Sequence, residues 1–277
     1  MSAARVAVLV PCFNDGATLT ETLTSIREAF PVEIAVIDDA STAPATLEVL
    51  RTLEDGGVTV IRHERNEGLP AARNTGLRGT SAPLVFPLDA DDLLEPGALG
   101  RLADRLDAMP EVAAAYGDYV EFGDLERTVA TPPRLDPYRI AFRNEYPVSS
   151  LFRRSALEAC GGWRAVGDDV GYEDWDLWMT FAERGWPALH AGGPPVYRRR
   201  LHGTRMLTDA GRRHQRLYAT LRRTHPELFR ALRAHRRATD LSAPRQLLYP
   251  LLYGGRPPSG VLRRARELAA RRGQSPS

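Results

Sequence analysis

The chain has 277 residues, 43% of them hydrophobic and 26% charged, enough for one large domain or one and a half around a sizeable core. Its formal net charge of +2 excludes a polycation built for nucleic acid. All 37 basic residues are arginine, which we read as a GC-rich coding bias rather than as chemistry. The two cysteines, Cys12 and Cys160, lie far apart without metal spacing, so each reads as a small buried thiol.

Val6-Ala7-Val8-Leu9-Val10 is a continuous apolar run of strand length, the pattern of a strand buried on both faces. Residues 11–16 read as a loop. A helical pattern then starts at Thr18, with Leu19, Leu23, Ile26 and Phe30 on one face. A second apolar run, Ile34 to Ile37, ends in Asp38-Asp39. A helix around 46–53 leads to a third strand at 58–61, and residues 68–77 read as a loop entering a short helix. Leu84 to Leu88 predicts a fourth strand. Pro87 has no N–H for a ladder, so it predicts an edge or a strand end there. Leu99, Leu102, Leu106 and Met109 mark another amphipathic helix. The β-α-β-α-β alternation predicts an α/β fold with a mainly parallel sheet and helices on both faces.

After about Val112 the rhythm changes. Residues 113–116 and 119–122 look like strands, proline-containing loops follow, and a mixed second half runs to about His202. From Arg212 the chain reads as helical and arginine-rich, ending in a polar tail at 273–277; no internal repeat is visible. Met1 to Arg5 leads straight into the first strand without a signal-peptide pattern, and no apolar run approaches the length of a membrane span. The expected location is therefore cytoplasmic, with contact at the inner face of the cell membrane left open.

In open α/β sheets, ligands bind outside the carboxyl ends of the strands. Three such ends are polar here: Pro11 to Asp15, Asp38 to Ser41, and Asp89-Ala90-Asp91-Asp92. No GxGxxG follows the first strand and no GxxxxGK[ST] is present, which disfavours a dinucleotide site and a P-loop. Asp89, Asp91 and Asp92 repel one another and raise each other's pKa. Solvent, a helix N-terminus or a cation must offset that.

Six segments stand in order between residues 5 and 206: VLVPCFNDGATLTETLTSI, EIAVIDDAST, RNEGLPAARNTGL, LVFPLDADDLLEPGAL, GYEDWDLWMTFAERG and YRRRLHGTRM. Together they resemble the inverting family 2 glycosyltransferases of the GT-A fold. The resemblance implies a Rossmann-like nucleotide-diphospho-sugar transferase domain over 1–206, with a nucleotide-binding half (1–112) and an acceptor-binding half (113–206). A basic helical C-terminal extension would cover 207–277. The implied donor is a UDP- or dTDP-sugar and the implied cofactor is Mn²⁺ or Mg²⁺. The acceptor would be a glycan, a lipid-linked glycan or a small metabolite.

The resemblance also distributes roles. Asp91 would be the main metal ligand and His202 would complete the metal and diphosphate site. Asp89 would lie near the ribose, and Asp92 is read as a cap on the helix that follows. Pro11 would border the base, and Asp39 would accept a hydrogen bond from a uracil-type N3–H. The family carries an acidic residue a little after the Ser; here the segment is Ser41-Thr42-Ala43-Pro44, which departs from the ribose contacts of the family. Arg73 offers planar charged donors to a diphosphate or base, or else forms an ion pair on the helix surface. Arg198 and Arg205 are further phosphate candidates.

Asp174 would be the general base, taking the acceptor hydroxyl proton during in-line attack. A carboxylate with an ordinary pKa near ~4 suffices because the hydroxyl acidifies as its bond to an oxocarbenium-like centre forms. A helix N-terminus would help to keep it ionised. Glu173 would hold an acceptor hydroxyl. Trp163, after Gly161-Gly162, either stacks on a sugar face or only packs.

Two rivals make different demands. A nucleotidyltransferase needs a basic, glycine-rich loop after the first strand, and VPCFNDGATL has no basic residue. A sugar-nucleotide-binding or glycan-binding pseudoenzyme predicts loss of the base or the metal carboxylates, and Asp174, Asp89 and Asp91 are all present. The arginine-rich C-terminal region, with the apolar segment 246–253 and a basic stretch over 261–272, suits an anionic membrane surface. The alternative is packing on the catalytic domain or a second subunit. It carries no recognisable nucleic-acid module.

Overall fold

The computed structural model describes residues 4–167, 171–201 and 213–254. The first half runs β1 (Val6–Cys12), α1 (Gly16–Ser25), β2 (Val32–Asp38), α2 (Pro44–Asp55), β3 (Thr59–Arg62), α3 (Leu69–Gly79), β4 (Leu84–Pro87), β5 (Leu93–Leu94) and α4 (Ala98–Asp107). The second half runs β6 (Ala114–Tyr116), β7 (Tyr119–Gly123), β8 (Arg127–Val129), α5 (Pro137–Ile140), β9 (Leu151–Arg153), α6 (Arg154–Cys160), α7 (Glu173–Glu183), β10 (Ala188–His190) and β11 (Tyr197–Leu201). Four helices follow: α8 (His214–Thr224), α9 (Pro226–Arg230), α10 (Leu232–Ala238) and α11 (Ala243–Tyr253).

Among the described residues the main sheet has seven strands in the order β10-β6-β9-β4-β1-β2-β3. β1 pairs parallel with β2 and β4, β2 pairs parallel with β3, and β9 is antiparallel to both of its neighbours. A smaller sheet has the order β5-β11-β7-β8. Every residue of β1 is buried because the strand is central and covered on both faces. Its alternation divides the core: Ala7 and Leu9 join the cluster under α3 and α7, whereas Val6, Val8 and Val10 join the one under α4. Gly76 lets α3 lie close on the sheet, since a Cβ there would come within 2.7 Å of Ile37 Cδ1.

Of the two readings for Pro87, the strand end holds: it closes β4 beside Leu9 in the middle of the sheet, and the Leu88 N–H resumes the ladder by donating to the Leu9 carbonyl at 2.9 Å. α1 stops at Ser25, so Phe30 is not on that helix, although it packs partly buried against the same core cluster. The short strands β5, β9 and β10 are too brief for any hydrophobic period to announce them.

The boundary expected at 206/207 lies outside the described residues. α8 packs into the main core through Leu217, Tyr218 and Leu221, and the Tyr218 hydroxyl donates to the Ala141 carbonyl at 2.8 Å. Buried His225 at its end bridges Asp176 (2.9 Å) and Glu183 (3.0 Å) of α7. This part of the C-terminal region therefore packs on the α/β core. No helix among the described residues is long and apolar enough to cross a membrane.

Candidate active site

Because β2, β1 and β4 are adjacent and parallel, their carboxyl ends form one edge. Pro11 lies opposite Ile37 and Cys12 opposite Asp38, and the Asp39 N–H donates to the Cys12 carbonyl at 2.9 Å. Asn14 ties the first two ends together. It adopts a left-handed φ of 63°, receives the N–H groups of Thr42 and Ala43 on Oδ1 (2.8 Å each), and donates its own N–H to Ser41 Oγ. The segment Ser41 to Pro44, which lacks the acidic residue of the family, is thus held by Asn14.

Asp39 is buried, and its carboxylate organises the loop ahead of α3. Oδ1 accepts from the Glu67 N–H (2.8 Å) and lies 2.7 Å from His63 Nδ1; Oδ2 accepts from the Gly68 N–H (2.8 Å). The other ring nitrogen of His63, Nε2, lies 2.9 Å from the Thr75 hydroxyl, so the imidazole ties Asp39 to α3. No sequence pattern singles out His63.

Arg73 on α3 is only 1% exposed, so it is not the surface ion pair considered above. Its Nη2 donates to Asp89 Oδ1 (2.8 Å) and its Nη1 to Glu173 Oε1 (2.9 Å), joining the turn after β4 to the first residue of α7. Among the described residues its Nε has no hydrogen-bond partner. Burial opposes its charge, but Asp89 and Glu173 overcome that and hold the guanidinium above its ordinary pKa. Glu173, expected to hold an acceptor hydroxyl, already gives one oxygen to Arg73.

Asp89 to Asp92 form a tight turn closed by the Asp92 N–H on the Asp89 carbonyl (3.0 Å). Asp89 and Asp91 are partly exposed, whereas Asp92 is buried. Burial, then the charges of Asp89 and Asp91, push Asp92 well above the usual carboxylate range. The expected cap is not formed. β5 intervenes, α4 starts only at Ala98, and Asp92 Oδ1 instead accepts from the Arg200 N–H of β11 at 2.9 Å. No helix N-terminus therefore shares the turn. The hard oxygen donors Asp89 and Asp91, both partly exposed at the turn, fit a divalent cation such as Mg²⁺ or Mn²⁺. Among the described residues no group of three metal-ligating side chains is assembled. His202, the expected further ligand, and Arg205 lie outside the described residues.

On β11 the period of two separates three consecutive arginines. Arg198 and Arg200 lie over the Phe122 ring at 4.8 and 4.6 Å, and Arg198 faces Glu126 at 3.5 Å. Arg199 takes the other face with Tyr197, beside its cross-strand neighbours Tyr119 and Glu121. Its charge acts on both Asp92 and Asp174, favouring their ionised forms. Arg200, on the opposite face, also reaches the turn, its Nε donating to the Asp91 carbonyl at 3.0 Å.

Asp174 sits in the first turn of α7, after Tyr172 in a left-handed conformation (φ 69°). Oδ1 accepts from the Trp175 N–H and Oδ2 from Asn144 Nδ2, both at 2.8 Å. Burial, then the neighbouring Glu173, raise its pKa to about 7, against the Trp175 N–H, Arg73 and Arg199. The helix N-terminus was expected to keep this group at an ordinary value; desolvation outweighs it.

Trp163 is a correction. It is 2% exposed, with its ring edge-on to Phe152 at 6.2 Å, so it packs in the core and offers no sugar platform. Its backbone is what the site uses: Asn74 accepts the Trp163 N–H (3.0 Å) and donates to its carbonyl (2.7 Å). Gly162 makes room for that clamp, since a Cβ there would fall 2.1 Å from Asn74 Oδ1.

Solved structures share this architecture. Residues 1–349 of Staphylococcus aureus TarS in complex with UDP-GlcNAc superpose with a TM-score of 0.64 at 18% identity, covering 87% of this chain and 69% of that one. The mannosyltransferase PcManGT from Pyrobaculum calidifontis, in complex with GDP-Man and Mn²⁺, gives 0.57 at 22% identity, covering 89% and 79%. The fold is thus the GT-A fold. Among curated proteins, the succinoglycan biosynthesis protein ExoO of Rhizobium meliloti (strain 1021) is 33% identical over 207 residues, covering 60% of this chain and 59% of ExoO. ExoU of the same organism is 32% identical over 136 residues, covering 48% of this chain and 38% of ExoU. The chain therefore spans well under two thirds of either relative. Residues 7–161, more than half of the chain, match the family described as glycosyl transferase family 2, and the chain belongs to that family.

Proposed function

We propose that the chain transfers a sugar from a nucleoside diphosphate sugar, a UDP- or dTDP-sugar, to an acceptor hydroxyl with inversion, in the synthesis of a cell-surface polysaccharide or glycan. The observation that carries this reading is the Arg73 bridge. One buried guanidinium joins Asp89, on the donor side, to Glu173, next to the raised carboxylate of Asp174. The complexes of TarS with UDP-GlcNAc and of PcManGT with GDP-Man support a nucleoside diphosphate sugar donor. The names of ExoO and ExoU support a polysaccharide product.

In this reading Pro11 borders the base and Asp39 accepts from a base N–H. Asp89 lies by the ribose. Asp91, with His202, would hold Mn²⁺ or Mg²⁺, which when bound supplies positive charge for the departing diphosphate. Arg199 adds fixed positive charge between the turn and the base. Asp174 takes the acceptor proton. A pKa of about 7 makes it a stronger base than an ordinary carboxylate while leaving much of it ionised near neutrality. Asn144 fixes the carboxylate orientation. The acceptor would be a glycan, carried on a lipid at the inner face of the membrane.

Calorimetric titration of UDP, dTDP, GDP and CMP, each with Mn²⁺ and with EDTA, tests the donor site. Metal-dependent binding of one uridine or thymidine diphosphate is expected, and Asp91→Ala should remove its Mn²⁺ dependence. Binding of none of the four would overturn the reading; unchanged metal dependence in Asp91→Ala would move the cation elsewhere.

A further inference from the structure

α11 presents its apolar side outward. Leu247, Leu248 and Leu251, at i, i+1 and i+4 on one face, are 59%, 51% and 68% exposed, whereas Tyr249 on the inner side is buried. A helix that only packed on the domain would turn this pattern round. Its orientation is fixed by polar contacts. The Tyr249 hydroxyl donates to Glu145 Oε2 (2.7 Å), the Tyr138 hydroxyl donates to the Gln246 carbonyl, and Arg143 Nη1 donates to the Tyr253 hydroxyl (3.1 Å) with its guanidinium over that ring.

An open cavity of about 500 Å³ lined by Arg233, Arg236 and Arg237 of α10 meets α11 at Gln246, the residue before Leu247. α10, which carries these arginines, buries none of its residues. Asp240 is the one acidic residue between 231 and 254, and its carboxylate is already held by Arg139 at 3.2 Å. Among the described residues neither α10 nor α11 carries an acidic side chain, and arginines next to outward leucines match a phosphate-bearing headgroup layer above acyl chains.

We propose that α10 and α11 form a docking face for an anionic phospholipid bilayer, with Leu247, Leu248 and Leu251 entering the acyl boundary and Arg233, Arg236 and Arg237 holding lipid phosphates. The loop that anchors α11 also reaches the base: Arg143 and Glu145 hold α11, and Asn144 between them donates to Asp174. The docked face thus sets the base at a defined position relative to the lipid surface. This deepens the reading of a lipid-linked acceptor and rests on it for its biological meaning, but binding needs neither donor nor turnover.

Flotation of the full chain with vesicles of phosphatidylcholine alone, or mixed with phosphatidylglycerol, tests the proposal. The chain should float with the mixed vesicles and not with phosphatidylcholine alone. Partitioning should fall about fivefold for each arginine removed, in Arg233→Gln, Arg236→Gln and Arg237→Gln, and at least tenfold in the double variant Leu247→Ser, Leu251→Ser. UDP affinity, measured on the same samples, should be unchanged and certifies folding. Absence of flotation, or flotation unchanged in the leucine and arginine variants, overturns the docking face, the latter placing any contact elsewhere in the chain. Failure of UDP binding with flotation intact overturns the donor site alone.

Discussion

Asn144 donates from Nδ2 to Asp174 Oδ2 at 2.8 Å, across 30 residues of sequence and from a loop to the first turn of a helix. With the Trp175 N–H on Oδ1, this leaves the carboxylate little rotational freedom. Asn144 contacts no reacting atom in the proposed mechanism, so it is a positioning residue. Hydrogen bonds to charged groups contribute about 1.5–3 kcal/mol. Asn144→Ala should therefore slow transfer by about 10–100-fold, with the acid limb of its pH profile moved to higher pH, because the ionised carboxylate has lost a donor. UDP affinity should be unchanged. Equal transfer at all pH values would leave Asn144 with a packing role only.

The value of about 7 for Asp174 gives transfer and stability opposite pH dependences. Only the ionised carboxylate is a base, so transfer should rise with pH through about 7. In the folded state the group keeps its proton up to about 7, whereas the unfolded chain releases it near the ordinary value of about 4. Between these limits the folded state binds more protons, so this group's contribution to stability falls as pH rises, by about 1.4 kcal/mol for each pH unit separating the two values. Asp174→Asn should lower transfer by about 10²–10⁴-fold, the usual contribution of a general base, and flatten both dependences. Thermal melting and initial rates over pH 5–9 check this. A variant as active as the parent would remove the base assignment.

The parallel half of the fold was legible because its central strands β1 and β4 are buried on both faces and read as unbroken apolar runs, as in Val6 to Val10. The second half was legible only as a change of rhythm, since three-residue strands such as β9 and β10 carry no period. Asp39, Asp89, Asp91 and Asp92 announced themselves by standing at strand ends, whereas Glu173 and Asp174 open a helix. Their partners did not: His63 meets Asp39 and Asn144 meets Asp174 only after folding, and neither lies in a pattern that predicts the meeting. Trp163 misled because an aromatic after two glycines does not say which way its ring turns. Asp92 misled because the two-residue β5, invisible in sequence, separates it from α4.

Arg73 hydrogen-bonds both Asp89 in the turn after β4 and Glu173 of α7, and its removal should be felt twice. Arg73→Met leaves Glu173 buried without its partner. Breaking one side of a buried pair costs about 3–5 kcal/mol, so melting should fall markedly. Arg73→Lys keeps the charge but lacks the planar fork that reaches Asp89 and Glu173 together. It should restore part of the stability while transfer stays depressed. Full recovery of transfer by lysine would mean that the charge alone, and not the bridge, is what the site requires.

Arg199 tests the electrostatic link between the two halves of the site. It shares its face of β11 with Tyr197 and not with Arg198 or Arg200, and its charge favours the ionised forms of both Asp92 and Asp174. In Arg199→Met, Asp174 loses a stabilising charge, so the acid limb of the transfer profile should move to higher pH. The neighbouring Arg198→Met, whose guanidinium lies over Phe122 on the opposite face, should leave that limb in place. If Arg199 also screens the departing diphosphate, the rate on the alkaline plateau should fall by about tenfold or more, in the range found when a preorganised donor is removed. A moved limb with an unchanged plateau confines Arg199 to tuning the base. A lowered plateau with an unmoved limb confines it to the leaving group. Indistinguishable profiles for the two arginine variants would show that the face of the strand does not matter.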